Sequence, residues 1–308
     1  MDLNKSIKKA KRKQVAMISC VSIISFLVMS GILVFLLDKV ATHNYRALDQ
    51  SLSVYQTIAS PNTQIDSQVI ASSSILGGEV VTNQSKNIDG YTVLWGSLRS
   101  KYNVLGSDID YNELLPSWYH SEKNSYEYNR QTKQKVATFY DPAIENYYDG
   151  VKNELANLSN MDDFLAEVAI SFDRPYLFSE VKKMFPDNIN VVWLYLFSEN
   201  RDESKGPSGM PVYGFQLSVD GKNQIVDAES DKDSFFSAFE TYAAPMSNQE
   251  MADFIQDNQN KNVDDIEVLG AMVTGQVKNL VELKDKSFVR GSSIGVTVPR
   301  VPYIVPEK

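Results

Sequence analysis

The sequence predicts an α+β fold: a single N-terminal transmembrane helix, then an extracytoplasmic domain with split βαβ-type units and a β-rich first half. Three observations predict it. Residues 15–37 form an uncharged run of 23 residues. Residues 66–140 are rich in β-branched and aromatic side chains, punctuated by Gly77-Gly78 and Asp89-Gly90, which are turn signals. Residues 160–298 alternate between strand and helix patterns.

The membrane helix comes first. At ~1.5 Å rise per residue, 23 residues cover a hydrocarbon core of about 30 Å. A soluble helix is rarely uncharged and apolar on every face for this long. The apolar region of a cleaved signal peptide is shorter and ends at a small-x-small site; here the run ends "LDKVA". "MISC" resembles a lipoprotein cleavage box, but the apolar run continues far past Cys20, which is read as a membrane residue. As the sole cysteine, it leaves no disulfide within the chain and no clustered-Cys metal site.

Charge sets the direction. Residues 1–14 carry Lys5, Lys8, Lys9, Lys11, Arg12 and Lys13 against Asp2, a net of +5 in a chain whose total is −9. Basic flanks stay cytoplasmic. The expected order is a cytoplasmic basic stub over 1–14, with Lys8, Lys9, Lys11, Arg12 and Lys13 determining topology. A transmembrane helix follows over 15–37, a juxtamembrane helical stalk over 38–60 and an extracytoplasmic domain over 61–308. The outer portion, net −14, offers no basic platform, so direct nucleic-acid binding is not expected. Within the membrane run, Ala16, Ser19, Ser22 and Ser30 share a face. Small residues let a second helix approach; serines also bond back to their own helix carbonyls. Both readings stay open.

Beyond the membrane, Leu48, Leu52, Tyr55 and Ala59 keep helical spacing until Pro61. "SQVIASSSILGGEVV", "GYTVLWGSL" and "QKVATFY" read as strands. Asp141-Pro142 reads as a helix cap with a first-turn proline, or as a turn. "AEVAISF" is an expected strand and "YLFSEVKKMF" a short helix with Leu177, Val181, Met184 and Phe185 inward. "NVVWLYLFSE" is an interior strand, "NRDESKGPSGMP" a loop and "VYGFQL" a short strand. "DSFFSAFETYAA" and "SNQEMADFIQDNQ" are helices around Pro245. "IEVLGAMVTG", "QVKNLVELK" and "FVRGSSIGVTV" read strand, helix, strand, before an extended tail with Pro299, Pro302 and Pro306.

No catalytic constellation is expected. Ser179 and Lys182 match S-x-x-K, but the S-D-N and K-T-G partners that chemistry needs are absent. Glu229, Asp231, Asp233 and Glu240 hold calcium-loop spacing, but Ser234 stands where the loop needs glycine. They are read as an acidic loop whose Asp233 caps a helix beginning near Ser234. His43 and His120, the only histidines, lie in no motif. The tyrosines at 126, 128, 140, 147 and 148 are open to two readings, a binding surface or half-buried sheet residues. No cofactor and no metal are expected.

The segments "AEVAISFDRPYLFSEVKKMF", "NVVWLYLFSE" and "LGAMVTGQVKNLVELKDKSFVRGSSIGVTV" resemble the C-terminal domain of the sigma-factor-regulator family of Gram-positive bacteria. "VATFYDPAIENYY" resembles its middle. The basic stub, the apolar run and "SVYQTIASPN" resemble its N-terminal membrane module. The resemblance implies a non-enzymatic, single-pass membrane anti-sigma factor that modulates an extracytoplasmic-function sigma system or senses at the envelope. Such proteins usually carry a sigma-binding domain ahead of the membrane helix. Fourteen residues cannot build a core, so the expected output runs through a membrane or cytoplasmic protein partner, alongside the lipid bilayer. The alternative is an envelope binding or assembly protein with no role in transcription.

Overall fold

The computed structural model describes residues 3–109, 116–122, 124–148, 150–161, 163–199, 211–220 and 224–308. Residues 200–210, most of the expected "NRDESKGPSGMP" loop, lie outside these. The N-terminal element is one helix, α1 (Leu3–Ala59). It holds the basic segment, the apolar run and the expected stalk without a break. It stops just before Pro61, as the restriction that proline places on its predecessor dictates.

The chain divides into two compact units: residues 1–49, 70–80 and 100–109 in the first, and 50–69, 81–99 and 110–308 in the second. A four-stranded sheet, in the order β1-β2-β3-β4, contributes residues to both. Its strands are β1 (Gln64–Ser74), β2 (Gly77–Ile88), β3 (Tyr91–Asn103) and β4 (Gly106–Ile109). The expected Asp89-Gly90 turn joins β2 to β3, with φ of 53° and 90°. Asp-Gly suits such a turn because both central residues need positive φ. A small hairpin follows, β5 (Ser117–His120) with β6 (Ser125–Tyr128).

"QKVATFY" is not a strand. It makes a single bridge, Tyr128 to Lys135. Its backbone pairs only at its start, where the Gln134 carbonyl accepts from the Asn129 amide and the Val136 amide donates to the Glu127 carbonyl; beyond that, side chains hold it. The Lys135 ammonium donates to Glu154, Ser293 and the Ile294 carbonyl, and the Tyr140 amide donates to Ser171 Oγ. Phe139 packs its ring on Trp193 and Tyr195. Asp141-Pro142 is a turn, closed by the Ile144 amide on the Asp141 carbonyl.

The second unit is built on a five-stranded antiparallel sheet in the order β11-β7-β10-β8-β9. Its strands are β7 (Phe164–Leu177), β8 (Asn190–Ser198), β9 (Val212–Gln216), β10 (Glu267–Gln276) and β11 (Val289–Pro299). β7 and β8 both pair antiparallel with β10, and β10 and β11 both flank β7. Each of these two parallel pairs is therefore split by an intervening strand. The crossovers are α2 (Phe178–Met184) and α5 (Val277–Leu280), the latter continued by a 3-10 turn over Val281–Asp285. These are the two split βαβ units expected from sequence.

Helices α3 (Ala228–Ala243) and α4 (Gln249–Asn258) complete the unit. Phe235, Phe236, Phe239, Met251 and Ile255 from them join Val168, Ile170 and Phe172 of β7 in one core. Two details differ from expectation. Leu177 is the exposed last residue of β7, and Phe178, one position on, is buried in its place. Helix α3 starts at Ala228 and not near Ser234. Asp227 caps it by accepting from the Ser230 amide, so Asp233 lies inside the helix.

Candidate functional site

The residues expected to act in the membrane all lie on α1. Lys8, Lys9, Lys11, Arg12 and Lys13 are exposed, as are Ala16, Ser19 and Ser22, while Ser30 is half-covered. The large apolar side chains of the run other than Leu37 are also exposed, from 43% at Val34 to 70% at Phe26 and Met29. Among the described residues, this stretch contributes nothing to the hydrophobic cores. A solvent for it must come from outside, and a bilayer supplies one.

At its other end α1 enters the second unit. Ile58 is fully buried in the main core, with Val54 and Ala59 against it. The chain then turns at Pro61-Asn62, where three charged or polar side chains meet. The Lys86 ammonium lies 2.8 Å from Glu167 Oε1 and 3.0 Å from Oε2. Lys86 also donates to the Pro61 carbonyl at 3.2 Å and stands 4.3 Å from the centre of the Trp95 ring. Asn62 donates to Glu167 Oε2 at 2.7 Å. Glu167, Lys86 and Asn62 are all buried. Gly295 on β11 leaves room for the carboxylate: a Cβ there would stand 2.5 Å from Glu167 Oε1. A buried ion pair survives only when its remaining hydrogen-bonding capacity is also met. Here that requirement ties the exit of α1 to β2 and β7.

Beside this knot lies a cavity of about 650 Å³. Phe178, Val181 and Ile189 supply apolar wall, and the amides of Asn62, Asn87 and Asn190 supply polar wall. At its edge the last residues of the chain are held by the β2–β3 turn. Asp89 Oδ1 accepts from Asn190 Nδ2 at 2.8 Å and from the Lys308 amide at 3.0 Å. The Tyr91 hydroxyl lies 2.8 Å from the Ile304 carbonyl oxygen. Asp89 Oδ2 and Asn190 Oδ1 are buried without a hydrogen bond. Burial pushes the Asp89 carboxyl up to about 6; the Lys308 amide pulls the other way, and the nearby Glu307 charge adds to the rise.

The motifs set aside on sequence grounds resolve as follows. Lys182 turns from Ser179 to Asp264, at 2.5 Å. Glu229, Asp231 and Asp233 lie on α3, not in a loop. Glu229 accepts from Lys232 and from the Val263 amide, and Asp231 accepts from the Ser218 amide and hydroxyl. Tyr140 and Tyr147 are core residues with rings 5.1 Å apart, whereas Tyr148 is exposed. Sequence reasoning does not single out Lys86 or Glu167, and it marks Asp89 only as a turn residue. A trace existed: Glu167 is a lone charge inside the apolar "AEVAISF".

The sigma factor regulator N-terminal family model matches residues 4–93, and the sigma factor regulator C-terminal model matches residues 155–296. The chain belongs to the sigma factor regulator family. No curated protein and no solved structure matches it. The N-terminal match takes in α1 and the Lys86 strand, and the C-terminal match takes in Glu167 and most of the five-stranded sheet. The buried pair thus joins the two family modules. The family is regulatory and not enzymatic, and it implies a sigma factor partner and a membrane location. With one helix among the described residues long and apolar enough to cross a membrane, this sigma factor regulator fits a membrane regulator of the anti-sigma type.

Proposed function

We propose that this regulator crosses the bilayer once, with residues 3–14 in the cytoplasm and the second unit outside. The outer unit senses the envelope, with the cavity beside Asn62 and Asn190 as the place where a ligand acts. The output passes along α1 to a membrane or cytoplasmic protein of a sigma system, without catalysis. The face of Ala16, Ser19, Ser22 and Ser30 is where a second helix approaches.

The observation that carries this reading is the continuity of α1. One helix runs from the basic segment to Ile58 in the outer core, where the Lys86–Glu167 pair fastens its exit. A change at the sheet is therefore felt at the helix end. The basic N-terminal end supports the direction of crossing.

A photocrosslinker at Ser22 tests the partner, with one at Val28, on the opposite side of α1, for comparison. The expected result is a protein adduct from Ser22 and lipid alone from Val28. Lipid alone from both counts against a partner on this face. A reporter fused after Lys308 tests orientation: activity confined to the cytoplasm overturns it.

A further inference from the structure

The first unit holds more than the membrane helix. Two hairpin tips belong to it, and they have the same design. Ser74-Ile75-Leu76-Gly77 joins β1 to β2, and Asn103-Val104-Leu105-Gly106 joins β3 to β4. In each, a polar side chain closes the turn: the Leu76 amide donates to Ser74 Oγ, and the Leu105 amide donates to Asn103 Oδ1. In each, the glycine takes positive φ, 144° at Gly77 and 153° at Gly106. The tips lie side by side, with the Val104 amide donating to the Leu76 carbonyl at 3.0 Å. Ile75, Leu76 and Leu105 are 50%, 55% and 94% exposed. No charge occurs over residues 69–78 or 102–107.

Single exposed leucines are ordinary. Their height along α1 makes these significant. The Tyr102 ring packs on Tyr45 with centroids 5.2 Å apart, and Asn44 donates to the Asn103 carbonyl at 2.7 Å. As β3 advances from 102 to 103, its partner on α1 recedes from 45 to 44. The strand therefore runs toward the apolar end of the helix. Asn44 stands seven residues past Leu37, about 10 Å along the axis. Leu105 lies in the two-residue turn between Asn103 and its partner Gly106, so it reaches about 3–4 Å further toward the membrane. That leaves it about 6–7 Å from the level of Leu37, at the outer edge of a headgroup layer of roughly 5–7 Å per leaflet. Lys39, whose ammonium lies 5.3 Å from the Phe35 ring centre, folds back along the same boundary.

We infer that the two tips are a second membrane contact, in which Ile75, Leu76 and Leu105 insert into the lipid headgroup region beside α1. This rests on the reading of residues 15–37 as membrane-spanning. It would hold the first unit at a fixed height and limit tilting of α1.

The test uses the full chain in phosphatidylcholine vesicles, on a Cys20→Ser background, with an environment-sensitive fluorophore on one introduced cysteine. The positions are Leu105, Leu76, Phe26 in the membrane run and the exposed Tyr148. The expected result is blue-shifted emission at Leu105→Cys and Leu76→Cys, quenched best by lipids with a nitroxide near the headgroup. Phe26→Cys is then quenched best by lipids with a deep nitroxide, and Tyr148→Cys by neither. Quenching at Phe26 with Leu105 and Leu76 behaving like Tyr148 overturns the tip contact alone. Blue-shifted tips that no lipid nitroxide quenches indicate cover by protein, such as a second copy, and also overturn it. Absence of quenching at Phe26 overturns the membrane reading and the tip contact with it.

Discussion

Two phenylalanines show how differently the two ends of this chain use the same chemistry. Phe239 on α3 is fully buried, with rings of Phe197, Tyr213 and Phe235 within 4.9–5.8 Å. Phe26 on α1 is 70% exposed, within an apolar run whose large side chains are mostly exposed. In the second unit, hydrophobic side chains choose each other. On α1 they are left for a solvent that the protein does not contain. Apolar residues thus divide by partner, and the division separates the folding core from the membrane element.

Four experiments break or sharpen that comparison. The largest effect is expected at the ion pair that fastens the exit of α1 to the sheet. Glu167→Leu leaves the Lys86 ammonium buried without its carboxylate and the Asn62 amide with only the Asn87 carbonyl as acceptor, at a cost of about 3–5 kcal/mol. Adding Lys86→Met should recover most of it. Denaturant midpoints of the two single variants and the double variant in detergent micelles measure the coupling, and strictly additive losses would refute it.

Next comes the aromatic core itself. Phe239→Ala should cost about 3–5 kcal/mol through lost transfer energy and a cavity. Phe26→Ala should leave the same unfolding midpoint unmoved. A comparable loss at Phe26 would mean that the run packs on protein.

A smaller effect is expected at Asp89. Its carboxyl holds a proton more tightly folded, at about 6, than at the ordinary 3.8. The folded state is therefore favoured below about pH 4, and stability falls as pH rises toward 6 and then levels. The span is on the order of 2–3 kcal/mol. Asp89→Asn should flatten this slope, and asparagine also tolerates the positive φ of the turn. An unchanged pH profile of the melting temperature would assign the slope to other groups.

The smallest effect belongs to Lys182→Ala. Its bond to Asp264 joins two well-exposed side chains, and such pairs contribute about 0–1 kcal/mol. A loss near that of Glu167→Leu would contradict the distinction between the buried pair and the surface one.

The candidate site was legible in uneven measure. The apolar run, the basic segment before it and the Asp89-Gly90 turn could be read directly, because each depends on residues adjacent in the chain. The side-chain role of Asp89 could not, since its partners Asn190 and Lys308 are far away in sequence. Lys86 and Glu167 are 81 positions apart, and each by itself reads as a polar residue in a strand. "QKVATFY" has strand composition, yet Lys135 and Tyr140 are held through side chains, which no periodicity reports. The shared pattern of the two tips was present in "SILGG" and "NVLGS". Its meaning waited on Asn44 and Asn103.

By itself, the sequence determined the membrane helix, the β-rich first half and the two split βαβ units. These follow from hydrophobic periodicity and turn chemistry, which act over a few residues. The tertiary structure alone decided the Lys86–Glu167 knot, the cavity beside it, the clamp on the last residues and the height of the tips along α1. All four are juxtapositions of distant segments. Their energies come from burial and charge pairing, which exist only once the chain has brought those segments together.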